Sequence, residues 1–210
     1  MNVVAEQFES ATRQRQAAEL GMWVFLSTEI MFFAPLFLGY TYGRWALADS
    51  FAAASQHTDV VIGTVNTVIL LTSSLLMALA VRAAKLGQRR PSVTLLSLTG
   101  VLGLAFLALK GLEYYGEWRE HLIPWLDFRF EPARRGGAEL FYFLYFGATG
   151  LHAIHLSIGV AVVCIFAVRV SRQGTARLRN QLEIGALYWH FVDSIWVLLY
   201  PMIYLVERHG

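Results

Sequence analysis

The sequence predicts an all-α integral membrane protein: a bundle of five transmembrane helices, N-terminus in the cytoplasm, C-terminus on the outside. Three observations predict it. Hydrophobic residues make up 56% of the 210 and charged residues only 15%, against roughly 25% charged in a soluble domain. Five stretches reach the length of about 20 mainly apolar residues that a hydrocarbon core about 30 Å thick demands. Lys and Arg gather on one side of those stretches. A net charge of +2 gives no pull toward nucleic acid, and the lone Cys164 closes no internal disulfide.

Residues 1–19 read as a polar, amphipathic cytoplasmic arm, and residues 20–210 as the transmembrane domain. Its spans fall at 20–42, 60–81, 93–115, 138–168 and 183–206. The first is no signal peptide: it is too long, lacks a small-residue cleavage site and contains Glu29. Ten basic residues flank one side of the spans: Arg13, Arg15, Arg82, Lys85, Arg89, Arg90, Arg169, Arg172, Arg177 and Arg179. Six flank the other: Arg44, Arg119, Arg129, Arg134, Arg135 and Arg208. They are offset by acidic residues that include Asp49, Asp59, Glu117, Glu120, Asp127 and Glu131. The richer side is placed in the cytoplasm. The 115–138 loop is the largest outer segment, with Trp118 and Trp125 suited to an interfacial belt.

Ionisable side chains inside a span cost about 2.5–3.5 kcal/mol on insertion, so each needs a partner or a purpose. Glu29 is the most demanding, nine residues into the first span and about 13 Å deep. Pro35, six residues on, lacks the amide hydrogen that the carbonyl of Met31 would accept. Two readings stand: an acid hydrogen-bonded to a neighbouring helix as structural glue, or a proton-handling or ligand-facing group. His155 is the first candidate partner and His152 the second, three apart on one face of a span rich in small residues. His190 and Asp193 share that spacing in the fifth span, where a carboxylate can orient an imidazole. Three histidines on two helices also invite a haem or metal reading, which is disfavoured because axial haem ligands must oppose each other across the ring and no Cys or extra carboxylate accompanies these histidines. Lys110 and Glu113, near the outer end of the third span, read as a snorkelling lysine with its ion pair. Gly147, Gly150 and Gly159, with Ser73 and Ser74, read as close-packing positions.

Three stretches together resemble subunit III of the haem–copper oxidases. They are Leu20-Gly-Met-Trp-Val-Phe-Leu-Ser-Thr-Glu-Ile-Met-Phe-Phe33, Gly147-Ala-Thr-Gly-Leu-His-Ala-Ile-His155 and Tyr188-Trp-His-Phe-Val-Asp-Ser-Ile-Trp196. Leu109-Lys-Gly-Leu-Glu-Tyr-Tyr115 fits a weaker motif between them, and the order is the family's. The likeness covers residues 18–206. Without the two N-terminal helices of seven-helix members, it is to the short five-helix bacterial form.

The resemblance implies a subunit of a cytochrome c oxidase, transferring electrons to oxygen with proton translocation, in the bacterial inner membrane. It implies no catalytic residue, metal or cofactor in this chain; haem and copper belong to partner subunits I and II. Subunit III packs on subunit I, supports proton uptake, slows inactivation during turnover and encloses phospholipid in a cleft. Glu29 takes the place of the family's carbodiimide-reactive carboxyl. Arg169, fourteen residues past His155, and His190 take lipid-binding positions. The implied electron donor is cytochrome c, through subunit II. A quinol oxidase subunit or a nitric oxide reductase accessory subunit would share the fold. A proton-coupled transporter using Glu29 and the His190–Asp193 pair is the rival from another class, although no repeated halves are visible.

Overall fold

The computed structural model describes residues 11–124, 126 and 128–205, and among these every regular element is helical. Residues 1–10 of the arm, and Trp125, Asp127 and Arg208, lie outside the described residues. The elements are α1 (Ala11–Ala46), α2 (Ala48–Ser55), α3 (Val60–Lys85), α4 (Arg89–Arg119), α5 (Arg135–Gln173) and α6 (Arg179–Tyr204). All but α2 are long and apolar enough to span a membrane.

The helices overrun the hydropathic stretches. α1 has 36 residues and α5 has 39, about 54 and 58 Å at 1.5 Å per residue. Hydropathy marks where lipid ends, whereas a helix runs until something breaks it. Residues 11–19 are Ala, Gln, Arg, Glu and one Thr, mostly strong helix formers, so α1 takes in this part of the arm. Likewise α4 continues to Arg119, shortening the outer loop to 120–134 and making Glu117 a helical residue. Pro35 sits within an unbroken α1.

Four helices make the core. α3 packs along α4, α4 along α5, α5 along α6 and α6 back along α3, while α1 lies outside against α5 and α6. In the most apolar stretch of α1 only 11% of residues are buried, against 56% in α6. α1 is therefore an outer wall that shows Trp23, Ile30, Met31 and Leu38 outward. The short α2, which no sequence signal marked, wedges Phe51 between α1 and α5, with its ring 5.5 Å from those of Tyr40 and Phe141.

Local chemistry sets the turns. Asp59 caps α3, accepting from the amides of Val61 (2.8 Å) and Ile62 (3.1 Å), which satisfies two otherwise orphaned donors. Gly87 turns the chain between α3 and α4 at φ +74°, a conformation cheap only for glycine. Trp189 fills the centre between Gly103 on α4 and Gly159 on α5. A Cβ at Gly103 would lie 2.6 Å from Val160 and 3.0 Å from this indole.

Candidate functional site

Glu29 on α1 meets His155 on α5. Their contact is 2.9 Å, Oε2 to Nε2, and both side chains are mostly buried. The other ring nitrogen, Nδ1, is 2.9 Å from the carbonyl of Leu151. A carbonyl only accepts, so Nδ1 carries its hydrogen. The carboxyl and Nε2 therefore hold a single proton between them: neutral acid with neutral imidazole, or carboxylate with imidazolium. Both states are uncharged overall, which lowers the cost of placing the pair in hydrocarbon. Phe33 packs 5.4 Å from the imidazole, and the Tyr188 hydroxyl donates to the His155 carbonyl at 2.9 Å.

His152, one turn away, does not reach Glu29. Its ring lies between Phe106 (5.5 Å) and Trp196 (5.2 Å), and neither nitrogen has a hydrogen-bond partner. The expected His190–Asp193 bond does not form. His190 Nδ1 instead meets the Ser74 hydroxyl at 2.7 Å. Both carboxyl oxygens of Asp193 are buried without a partner, although Ser74 is close by. Residues three apart share a helix face but radiate at different angles, and here α3 supplies the better-placed oxygen.

Lys110 departs furthest from expectation. It does not snorkel; it is 2% exposed. Nζ donates to Glu113 Oε2 (3.0 Å), the Tyr145 hydroxyl (2.9 Å) and the Tyr204 hydroxyl (2.9 Å). Both hydroxyls in turn donate to Glu113 Oε1, at 2.9 and 2.6 Å. The rings of Tyr114, Tyr145, Trp196 and Tyr204 surround the ammonium at 4.8 to 5.6 Å, within cation–π range. All three Lys110 donors are used within the ring. Tyr145 and Tyr204 carried no sequence signal, since they reach Lys110 from other helices. Glu117, read as a loop charge, is buried one turn beyond Glu113; the spacing 110, 113, 117 on one helix face is the signal that would have found it.

At the opposite end, α1, α3 and α6 enclose a groove of about 400 Å³. Trp23, Ala78, Val81 and Leu187 supply apolar wall, and Glu19, Lys85, Glu183 and His190 supply polar lining. Glu183 ties its mouth, 3.0 Å from both Arg15 and Lys85. Arg169 is not part of the lining; it donates to Gln181 at 3.3 Å on the exposed side. Among the described residues, no three His, Cys, Asp or Glu side chains converge as metal ligands.

Residues 4–207 match the family described as cytochrome c oxidase subunit III. A cytochrome c oxidase subunit 3 from Alkalihalophilus pseudofirmus is 32% identical over 204 residues, covering 96% of this chain and 93% of the relative. A haem–copper oxidase subunit I+III from Aeropyrum pernix is 32% identical over 194 residues. That match takes in 88% of this chain but only 22% of the relative's length. A cytochrome bo(3) ubiquinol oxidase subunit 3 from Pseudomonas putida is 28% identical over 195 residues, covering 91% and 86%.

Proposed function

This chain belongs to the cytochrome c oxidase subunit III family, a multi-pass membrane subunit of haem–copper oxidases, and from that premise we propose that it sustains a proton-pumping terminal oxidase without carrying a redox centre. Its partners are subunits I and II, which hold the haem and copper, and cytochrome c is the donor. The Aeropyrum relative, named for both subunits I and III, supports the first partnership. The N-terminus faces the cytoplasm and the C-terminus the outside, with the Arg- and Lys-rich ends of α3 to α6 inward.

The observation that carries the proposal is the Glu29–His155 pair. A single proton held at a defined atom midway along two helices suits a site that buffers proton supply to a neighbouring subunit. The groove beside Trp23 and His190 supports phospholipid binding, because it offers apolar wall to an acyl chain and Lys85 to a phosphate. Arg169 serves the same headgroup layer on the other flank of α6. A second reading, a quinol donor, is favoured by the Pseudomonas relative, named a ubiquinol oxidase subunit; reduction by cytochrome c or quinol in the purified complex separates the two.

The test uses the assembled oxidase. Glu29→Gln keeps shape and hydrogen-bonding capacity but removes titration, whereas Glu29→Ala removes both. Initial oxygen consumption is expected to survive each change, while the number of turnovers before inactivation falls, more for Ala. Abolition of initial activity by Glu29→Gln would place Glu29 on the main catalytic path instead.

A further inference from the structure

Buried polar side chains without partners are concentrated around Trp196. This indole donates to Thr67 Oγ1 at 3.0 Å, next in sequence to Asn66, whose amide has neither nitrogen nor oxygen paired. The Trp196 ring lies 5.2 Å from that of His152, 5.5 Å from Lys110 Nζ and 6.2 Å from the Tyr204 ring. Asp193 is one turn back on α6. Asn66, His152 and Asp193 are 0%, 1% and 4% exposed; Asn66 and His152 have no partner, and Asp193 has Ser74 close by but no formed hydrogen bond. On the far side of the Lys110 ring, Glu117 and the Tyr142 hydroxyl are equally buried and equally unpartnered.

The rest of the layer cannot satisfy them. Lys110, Glu113, Tyr145 and Tyr204 use their donors on one another. Glu117 lies near Lys110 and the Tyr145 hydroxyl, but the donors of both are already directed within the ring. More than nine in ten buried polar groups are paired, and an orphaned one costs about 1–3 kcal/mol. Side chains orphaned on both sides of the Lys110 ring need partners that both donate and accept. Asn66 and Tyr142 offer donors, Glu117 and Asp193 acceptors, and His152 one of each when neutral. Water is the ligand that suits this mixture, forming about three hydrogen bonds in a buried site.

We infer that the interior between α3, α4, α5 and α6, at the level of Trp196, is a built water site. Its waters join Asn66, His152 and Asp193 to the Lys110 ring and, past it, to Glu117 and Tyr142. Because His152 is one turn from His155, this wet layer approaches the Glu29 pair from inside the bundle. The inference concerns hydration and stands whether or not Glu29 buffers protons.

X-ray pulse footprinting of the assembled oxidase tests it. Hydroxyl radicals formed in bound water oxidise adjacent side chains, which mass spectrometry then reads. Trp196 and Tyr204, both buried, are expected to be modified several-fold above Met77, a more oxidisable but apolar-packed residue at 0% exposure. His152→Phe keeps a ring in the slot but removes both nitrogens; Asn66→Leu keeps volume but removes the amide. Each is expected to lower the Trp196 signal while leaving Met77 unchanged. Modification of Trp196 and Tyr204 at the Met77 level in the wild-type complex means a dry layer and overturns the inference. Strong modification that both substitutions leave intact overturns it too, since the water would then not be held by these groups.

Discussion

Glu29 on α1 and His155 on α5 meet at 2.9 Å although 126 residues separate them in the sequence. Measured from the hydropathic boundaries 20 and 168, the two lie about 6 Å apart in depth along their helices. The contact itself bridges that difference.

This pairing predicts strong coupling. His155→Ala in the assembled oxidase is expected to shorten the turnover lifetime about as much as Glu29→Ala. The double substitution is then expected to be little worse than either alone, because contacting residues are non-additive. Additive losses in the measured number of turnovers would show that the two act separately.

The Lys110 ring predicts an asymmetric stability response. Lys110→Met leaves Glu113 as a buried carboxyl facing two tyrosines, and losing one member of a buried pair costs about 3–5 kcal/mol. Lys110→Met combined with Glu113→Gln removes both charges and is expected to recover most of that loss. Thermal unfolding of the purified protein in detergent measures the difference. Equal destabilisation by the single and double variants would mean that packing, not charge, dominates.

What the sequence made legible follows from the range of each interaction. Five spans were readable because hydropathy is a local pattern; for Glu29, 126 residues from its partner, one-turn spacing named two candidate histidines, with His155 placed first. The ring was only half readable: Lys110 and Glu113 are three apart, but Tyr145 and Tyr204 lie 35 and 94 residues from Lys110 and meet it only through folding. Helices ran past the apolar spans wherever polar helix formers continued, as over residues 11–19 and at Glu117. The bond from His190 to Ser74 won over the local Asp193 because it depends on where α3 lies, which no spacing on α6 reports.

Close packing of Trp189 predicts a position-specific cost. Gly103→Ala puts a methyl 2.6 Å from Val160 and 3.0 Å from the indole, overpacking that costs about 1–3 kcal/mol. Gly111→Ala on the same helix meets nothing within 4 Å and is expected to be neutral or slightly stabilising. Unfolding temperatures of the two variants check this directly.

The ion pairs at the groove mouth predict salt sensitivity with little effect on stability. Arg15 and Lys85 are about half exposed, so each pair with Glu183 is worth about 1 kcal/mol or less. Glu183→Gln is expected to lower thermal stability slightly in dilute buffer. At 1 M salt, where the Debye length is about 3 Å, the deficit is expected to vanish. A deficit that persists there would assign Glu183 a packing role instead.

The last prediction separates two lipid contacts. Lys85 and His190 line the groove between α1, α3 and α6, whereas Arg169 bonds Gln181 outside it. If an acyl chain occupies the groove with its phosphate near Lys85, His190→Leu leaves the apolar walls intact and spares the chain. Lys85→Ala removes a charge worth about 1 kcal/mol toward an anionic headgroup. Trp23→Ala removes a wall and releases the chain itself. Phospholipid retained by the purified oxidase, counted by mass spectrometry, is therefore expected to fall most for Trp23→Ala, less for Lys85→Ala and least for His190→Leu. Arg169→Ala is expected to cost a separate, additive share. If Arg169→Ala alone strips all the bound lipid and Trp23→Ala none, the groove is not the lipid site, and the headgroup contact lies wholly on the outer flank of α6.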